Sequence, residues 1–192
     1  MSEGRDQWYV ITGPPCCGKS TTIELLAQRG FRVRPEIARA YVDEEISKGH
    51  KIQEIRSDMR RFQCDVLRRA LASEEALPRD QLIFLDRGIP DSFAYFMLHG
   101  VPLGPYIRHI GSSKYRRVFY LDPLDEYQTD YARIESSGER DQLAQLLWKA
   151  YSDWGFCIER VPALTKLERV DYILARLDFS ACHSRSYPAA AK

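Results

Sequence analysis

Residues Gly13 to Ser20 read GPPCCGKS, an order of residue types suited to holding phosphate. Gly13 and Gly18 permit a tight turn whose backbone N–H groups point inward, Lys19 can reach β- and γ-phosphates, and the Ser20 hydroxyl is a hard oxygen for magnesium. Pro14 and Pro15 have no N–H, so the donors must come mainly from Cys17, Gly18, Lys19, Ser20 and Thr21, with Gly13 and Cys16 completing the loop. A strand-like run, Trp8 to Thr12 (WYVIT), precedes the loop, and helical spacing at Ile23, Leu26 and Ala27 follows it. The helix start adds a positive dipole end. The expected ligand is a nucleoside triphosphate with Mg2+.

Phosphoryl transfer needs further groups, to position an acceptor and to neutralise the moving charge. Asp86 and Arg87 end the apolar run Gln81 to Asp86 (QLIFLD), where Asp86 could share a magnesium ion with Ser20 and Arg87 could bind phosphate or acceptor. The alternative is a strand-end ion pair, against which the buried LIFL run and the nearness of the strand's end to the loop favour function. Glu36, in RPEIARAY, is either a base for a substrate hydroxyl or a carboxylate complementing a helix start. Arg133 and Arg140 lie in a polar span, Asp122 to Arg140, that suits either a lid closing over a triphosphate or plain solvated surface. Arg60, Arg61, Arg68 and Arg69 read as the wet face of a helix. The histidines His50, His99, His109 and His183 have no ligand or triad spacing.

The elements that must position these groups alternate between strand and helix. Extended segments are expected at Trp8 to Thr12, Phe31 to Val33, Gln81 to Asp86, Arg117 to Leu121 and Phe156 to Val161. Helical patterns cover Ser20 to Ala27, Ile52 to Leu71 as one long helix, Ser92 to Leu98, Tyr106 to Ile110, Leu143 to Trp154 and Thr165 to Leu177. Alternation implies an α/β three-layer sandwich, a five-stranded parallel sheet with helices on both faces and ligands at the strands' C-terminal ends. A single domain over residues 1–179 is expected, with the lid at about residues 122–140 and an aperiodic tail at residues 180–192.

Bulk properties narrow the partners. A net charge of +1 argues against a polyanion, so nucleic acid is not expected. No apolar run is long enough for a membrane span, and the polar N-terminus leaves no room for a signal peptide. Five scattered cysteines, Cys16, Cys17, Cys64, Cys157 and Cys182, support neither a disulfide framework nor a zinc site, which fits a cytoplasmic setting. Cys16 and Cys17 read as reactive thiols at a helix start or as small loop fillers.

Taken together, these residues resemble the deoxynucleoside-kinase-like group of P-loop kinases, and the related nicotinamide riboside kinase and small AAA-type P-loop domains. The resemblance runs from Trp8 to about Leu177. It implies that Glu36 in RPEIAR is a general base, with Arg39 beside it in the acceptor site. It also implies that Gln63 in RFQ reads a base, that Asp86 and Arg87 in LDRG form the group's acidic-arginine motif, that Asp91 contacts substrate, and that Arg133 and Arg140 belong to the lid. The chain departs from the pattern in having Asp86 for glutamate, Gly88 for serine, Asp91 one residue closer and more widely spaced lid arginines. The implied activity is ATP-dependent phosphorylation of a small-molecule hydroxyl, in a possible homodimer. The alternatives are a nucleotide-dependent binding module with slow hydrolysis, and a plain NTPase.

Overall fold

Strand β1 (Trp8–Thr12) is buried at all five positions, which requires cover on both faces. The computed structural model describes residues 7–104, 106, 115–124 and 137–177, and it supplies that cover. β1 is the central strand of a five-stranded sheet, between β3 (Ile83–Asp86) and β4 (Arg117–Leu121), with β2 (Arg32–Arg34) and β5 (Ile158–Val161) at the edges, in the order β2-β3-β1-β4-β5. All four pairings are parallel.

Period-2 alternation divides the core. Trp8, Val10, Leu85 and Val118 pack with Leu67 of α4 (Met59–Glu75), Phe93 of α5 (Ile89–Leu98) and Tyr151 of α6 (Ser137–Ser152). Tyr9, Ile11, Phe84 and Phe119 pack on the opposite face with Ile23 and Leu26 of α1 (Lys19–Gln28) and Val170 and Ile173 of α7 (Lys166–Leu174). The register sets Ile11 beside Asp86 and Thr12 beside Tyr120, so the three central strands end level and their loops leave one edge of the sheet.

The five expected strands and the layered architecture are present, but several helices differ. The expected helix from Ile52 to Leu71 is two, α3 (Ile52–Ile55) and α4, because Asp58 caps the second by accepting the Arg61 N–H at 2.9 Å. The apolar rhythm crosses this break because Ile52, Ile55, Met59, Phe62 and Val66 all face one cluster around Val42. That valine is the one buried residue of α2 (Ile37–Ser47), a helix too weakly apolar to announce itself in the sequence. α5 starts at Ile89, with Pro90 in its first turn, earlier than the expected Ser92. α6 starts at Ser137, so Arg140 belongs to a helix and not to an irregular span. Arg133, residues 125–136 of the polar span, the expected short helix beyond Tyr106 and the tail at 180–192 lie outside the described residues. Among the described residues no helix is long and apolar enough to cross a membrane.

A buried polar chain crosses the sheet's β2 edge. Arg34 is buried although its neighbour Arg32 is exposed, and its guanidinium lies 3.8 Å from Glu74 of α4. The Tyr115 hydroxyl donates to Glu74 at 2.8 Å and accepts the Ile89 N–H at 2.7 Å. Burial raises the Glu74 pKa to about 7, against the opposing pulls of Arg34 and the Tyr115 hydrogen bond; Asp91 pushes it further up. Because this folded-state pKa exceeds the unfolded one, the group's favourable contribution to folding is complete only below the unfolded pKa and is lost as pH rises through about 7. Glu74→Gln removes the titration and keeps an acceptor for Tyr115. In chemical denaturation, the stability difference between Glu74→Gln and wild type should move in the variant's favour from about pH 5 to about pH 8. A difference that stays flat or moves toward wild type contradicts this.

Candidate functional site

The loop after β1 depends on backbone that most residues cannot adopt. Gly13 has φ 143°, and a Cβ there would sit 2.6 Å from the Leu121 carbonyl oxygen and 2.8 Å from Cys17 Sγ. Gly18, at φ 84°, caps α1, and Cys16 also takes a left-handed φ of 62°. Cys17 is fully buried against Gly13, which supports its role as a small filler; no disulfide links the described cysteines. The first N–H groups of α1, at Lys19 to Thr21, have no partner within the helix and carry its positive dipole end. Lys19 is buried, with Nζ donating to the carbonyls of Gly13 at 2.9 Å and Pro14 at 2.7 Å. Thr21 is exposed and Ser20 half-buried. Beneath the loop, the buried Arg169 of α7 donates to the carbonyl of Cys17 and, at 3.2 Å, to that of Asp122. No local pattern in the sequence distinguishes this arginine from a surface one.

At the end of β3 the chain reverses on Arg87. Its N–H continues the ladder to Ile11 O at 3.0 Å, but its φ is 67°, a left-handed conformation that costs about 1–2 kcal/mol for a non-glycine residue. The side chain then reaches two carboxylates: Nε donates to Glu36 at 2.8 Å and Nη1 to Asp91 at 3.3 Å, with Tyr95 stacked 5.4 Å away. Asp86 and Arg87 are therefore not a simple pair with each other. Glu36 is the N-cap residue of α2, yet its side chain does not cap the helix; it turns to Arg87, with Arg39 at 4.0 Å. Burial would raise the Glu36 pKa, but Arg87, Lys19 and Arg39 together hold it below the usual carboxylate value.

Asp91 lines the same cavity as Lys19 and Glu36, and its carboxylate is also held by the protein itself. Oδ1 accepts from Thr12 at 2.8 Å and from Arg87, while Oδ2 accepts the Gly88 N–H at 3.0 Å and the Tyr151 hydroxyl. A carboxylate has about four acceptor positions, and all are used inside the protein. Its geometry is that of a post fixing the start of α5 to β1 and α6. Thr12, Arg34, Glu74, Tyr115 and Tyr151, absent from the sequence expectations, form this support.

A cavity of about 140 Å³ opens from Lys19, past Glu36, Arg39 and Arg87, to Gln63 on α4. Its lining also includes the apolar Ile37, Val42, Phe62 and Val66. Gln63 is buried in this lining and its amide makes no hydrogen bond to another described residue. The cavity thus brings together Lys19, Glu36, Arg39, Gln63 and Arg87, which lie on five elements or loops. Arg140 stands beside Asp141, 3.8 Å away, and is not on the cavity wall, although its neighbour Glu139 is.

For magnesium the described residues offer no cluster of three or more His, Cys, Asp or Glu. Magnesium needs only one or two protein oxygens beside phosphate and water. Asp86 is buried at the strand end with Oδ1 lacking any hydrogen-bond partner, and the Ser20 hydroxyl is a second hard oxygen, so the donor set fits. Burial and the nearby Glu36 raise the Asp86 pKa, to about 6, against the opposing pulls of Arg87, Lys19 and Arg34.

A family model described as an AAA domain matches residues 8–169. No curated protein matches at a significant level. Among solved structures, deoxyadenosine kinase from M. mycoides with dCMP and dCDP is similar at TM-score 0.60 and 17% identity, over 88% of this chain and 97% of that one. The same enzyme with dCTP gives 0.59 and 16%, over 88% and 98%. NadR protein in complex with NR gives 0.68 and 15%, over 94% of this chain and 53% of that chain. At these identities the likeness is one of fold, and for NadR it spans about half of the other protein. The loop, the sheet order and the family match converge: the chain belongs to this AAA-domain family of P-loop proteins and has the fold seen in P-loop nucleoside kinases.

Proposed function

We propose that the protein is an ATP-dependent kinase that transfers the γ-phosphoryl group to a hydroxyl of a small, nucleoside-like acceptor. The observation that carries this is the cavity joining Lys19 to Gln63, with the Glu36 carboxylate between them. The cavity's mixed lining, with the polar Glu36, Arg39 and Gln63 beside the apolar Ile37, Val42 and Phe62, suits a small acceptor with both hydroxyl groups and a flat ring. The fold likeness to proteins solved with dCMP, dCTP and NR supports an acceptor of that class.

Lys19 and the loop amides at residues 17–21 bind the triphosphate, and the Lys19 ammonium exchanges its loop carbonyls for phosphate oxygens. Ser20 and Asp86 hold magnesium, which when bound neutralises charge on the phosphates. The acceptor hydroxyl sits against Glu36, whose carboxylate takes its proton as the new P–O bond forms and the bond to the β-phosphate oxygen breaks, releasing ADP. A lowered pKa suits this task, because the transition state is loose and needs an ionised acceptor of the proton more than a strong base. Arg87 orients Glu36. Gln63 and Arg39 bind the acceptor, and Arg133 or Arg140 stabilises the transferred group.

Incubation with labelled ATP and a panel of nucleosides, ribosides and other small alcohols should label at least one acceptor. Labelling of none, together with nucleotide-dependent capture of a protein partner, would replace the kinase with a binding module. Glu36→Gln retains an acceptor for Arg87 Nε and should lower turnover by about a hundredfold or more with ATP affinity nearly unchanged; an unaltered rate removes Glu36 as the base. Gly13→Ala forces a Cβ against the Leu121 carbonyl, which is backbone and cannot swing aside. Overpacking of this kind costs about 1–3 kcal/mol, so its Tm should fall by several degrees. ATP affinity, measured by titration calorimetry, should fall about tenfold or more, and wild-type values for both would show that the loop does not depend on this glycine.

A further inference from the structure

The reversal at Arg87 is strained, and something must hold it. The Arg87 N–H is committed to β1 and its side chain to Glu36 and Asp91, which leaves its carbonyl to be held by another group. That carbonyl accepts from Arg34 Nη2 at 2.5 Å, and the carbonyl before it, of Asp86, lies 3.5 Å from Arg34 Nη1. Two successive carbonyls at a strand end are thus met by the two prongs of one planar guanidinium. A lysine ammonium, a single point charge, has no equivalent fork. Arg34 is itself held in place: it is buried and paired with Glu74, which takes the Tyr115 hydrogen bond, and Tyr115 takes the Ile89 N–H. The chain of contacts closes on the first turn of α5, two residues beyond Arg87.

Gly88 is part of the same device. A Cβ at Gly88 would lie 2.7 Å from the Tyr115 hydroxyl oxygen, so the tyrosine occupies the space that any larger residue would need. The departure from serine at this position therefore matches the presence of Tyr115.

We propose that Arg34 is a positioning residue: its guanidinium clamps the Asp86 and Arg87 carbonyls, fixing the left-handed turn from which Arg87 reaches Glu36 and Asp91. The functional consequence rests on the kinase activity proposed above; the geometric one does not. Loss of the fork should let the turn relax, withdraw Arg87 Nε from Glu36 and misplace the base, while the phosphate loop, on the other side of β1's end, keeps its affinity for nucleotide.

The test is Arg34→Lys, which preserves the charge facing Glu74 but not the fork, studied in the full chain labelled with 15N-arginine. In wild type the Arg87 Nε–H, buried and bonded to Glu36, should give a slowly exchanging resonance, assigned by its loss in Arg87→Lys. In Arg34→Lys that resonance should shift and lose its exchange protection, with affinity for a fluorescent ATP analogue unchanged. With an acceptor in hand, kcat should fall by about a hundredfold, the scale that an ångström of misplacement carries, with KM for ATP unchanged. If Arg34→Lys does not fold, Glu74→Gln, which loosens Arg34 without removing it, should produce the same loss of protection in weaker form. An Arg87 Nε–H signal that keeps its position and protection in these variants overturns the assignment to Arg34. Failure of wild type to phosphorylate any acceptor would instead overturn the kinase activity and leave the spectroscopic result to decide on the clamp.

Discussion

One guanidinium, that of Arg87, stands between two carboxylates, Glu36 at 2.8 Å and Asp91 at 3.3 Å, in a largely water-excluded position at the end of β3. Each carboxylate comes from a different helix start, α2 and α5, so the cation ties three elements together. Removing one member of a buried ionic group leaves the others uncompensated, at a cost of about 3–5 kcal/mol. The backbone strain at Arg87 is small beside that figure, which explains why a non-glycine residue tolerates φ 67° there. The turn is left-handed because the side chain and both of its flanking carbonyls are already committed.

The same cation leaves its two partners in unlike states. Asp91 has every acceptor position filled by Thr12, Gly88, Tyr151 and Arg87, and is a fixed part of the scaffold. Glu36, which lines the cavity, is bound to Arg87 through Oε1, while Oε2 has Arg39 at 4.0 Å. Electrostatics sharpen the contrast with Asp86, whose pKa is raised by burial and by Glu36, whereas Glu36 is held ionised by Arg87 and Lys19. The three carboxylates thus differ in the donors around them: Asp91 is saturated, Glu36 is bound through Oε1, and Asp86 Oδ1 has no hydrogen-bond partner among the described residues.

The parts of this arrangement that were legible in the sequence are those written locally. The loop from Gly13 to Ser20, the apolar run ending at Asp86 and the strand–helix alternation each occupy a few consecutive residues, and each is where it was expected. Glu36 was ambiguous because an N-cap position is compatible with either role; its side chain leaves the helix start for Arg87, fifty-one residues away, a partner no local pattern announces. The helix from Ile52 looked continuous because a shared hydrophobic cluster imposes one rhythm on both sides of the Asp58 cap. Arg34, Arg169 and Tyr115 gave no signal at all. Buried arginines that donate to backbone carbonyls have no spacing rule, since their partners are fixed by the register of β2 on β3 and by the docking of α7.

On the proposed function, the cavity beside the phosphate loop receives an acceptor in line with the γ-phosphate. That placement is tested most directly by a crystal structure with magnesium and a non-hydrolysable ATP analogue. The γ-phosphorus should face Glu36 across a gap that fits one hydroxyl, with about 3–3.5 Å from phosphorus to the attacking oxygen and about 2.6–3.2 Å from that oxygen to the carboxylate. A γ-phosphate directed away from the cavity, or separated from it by Arg87, would contradict the account.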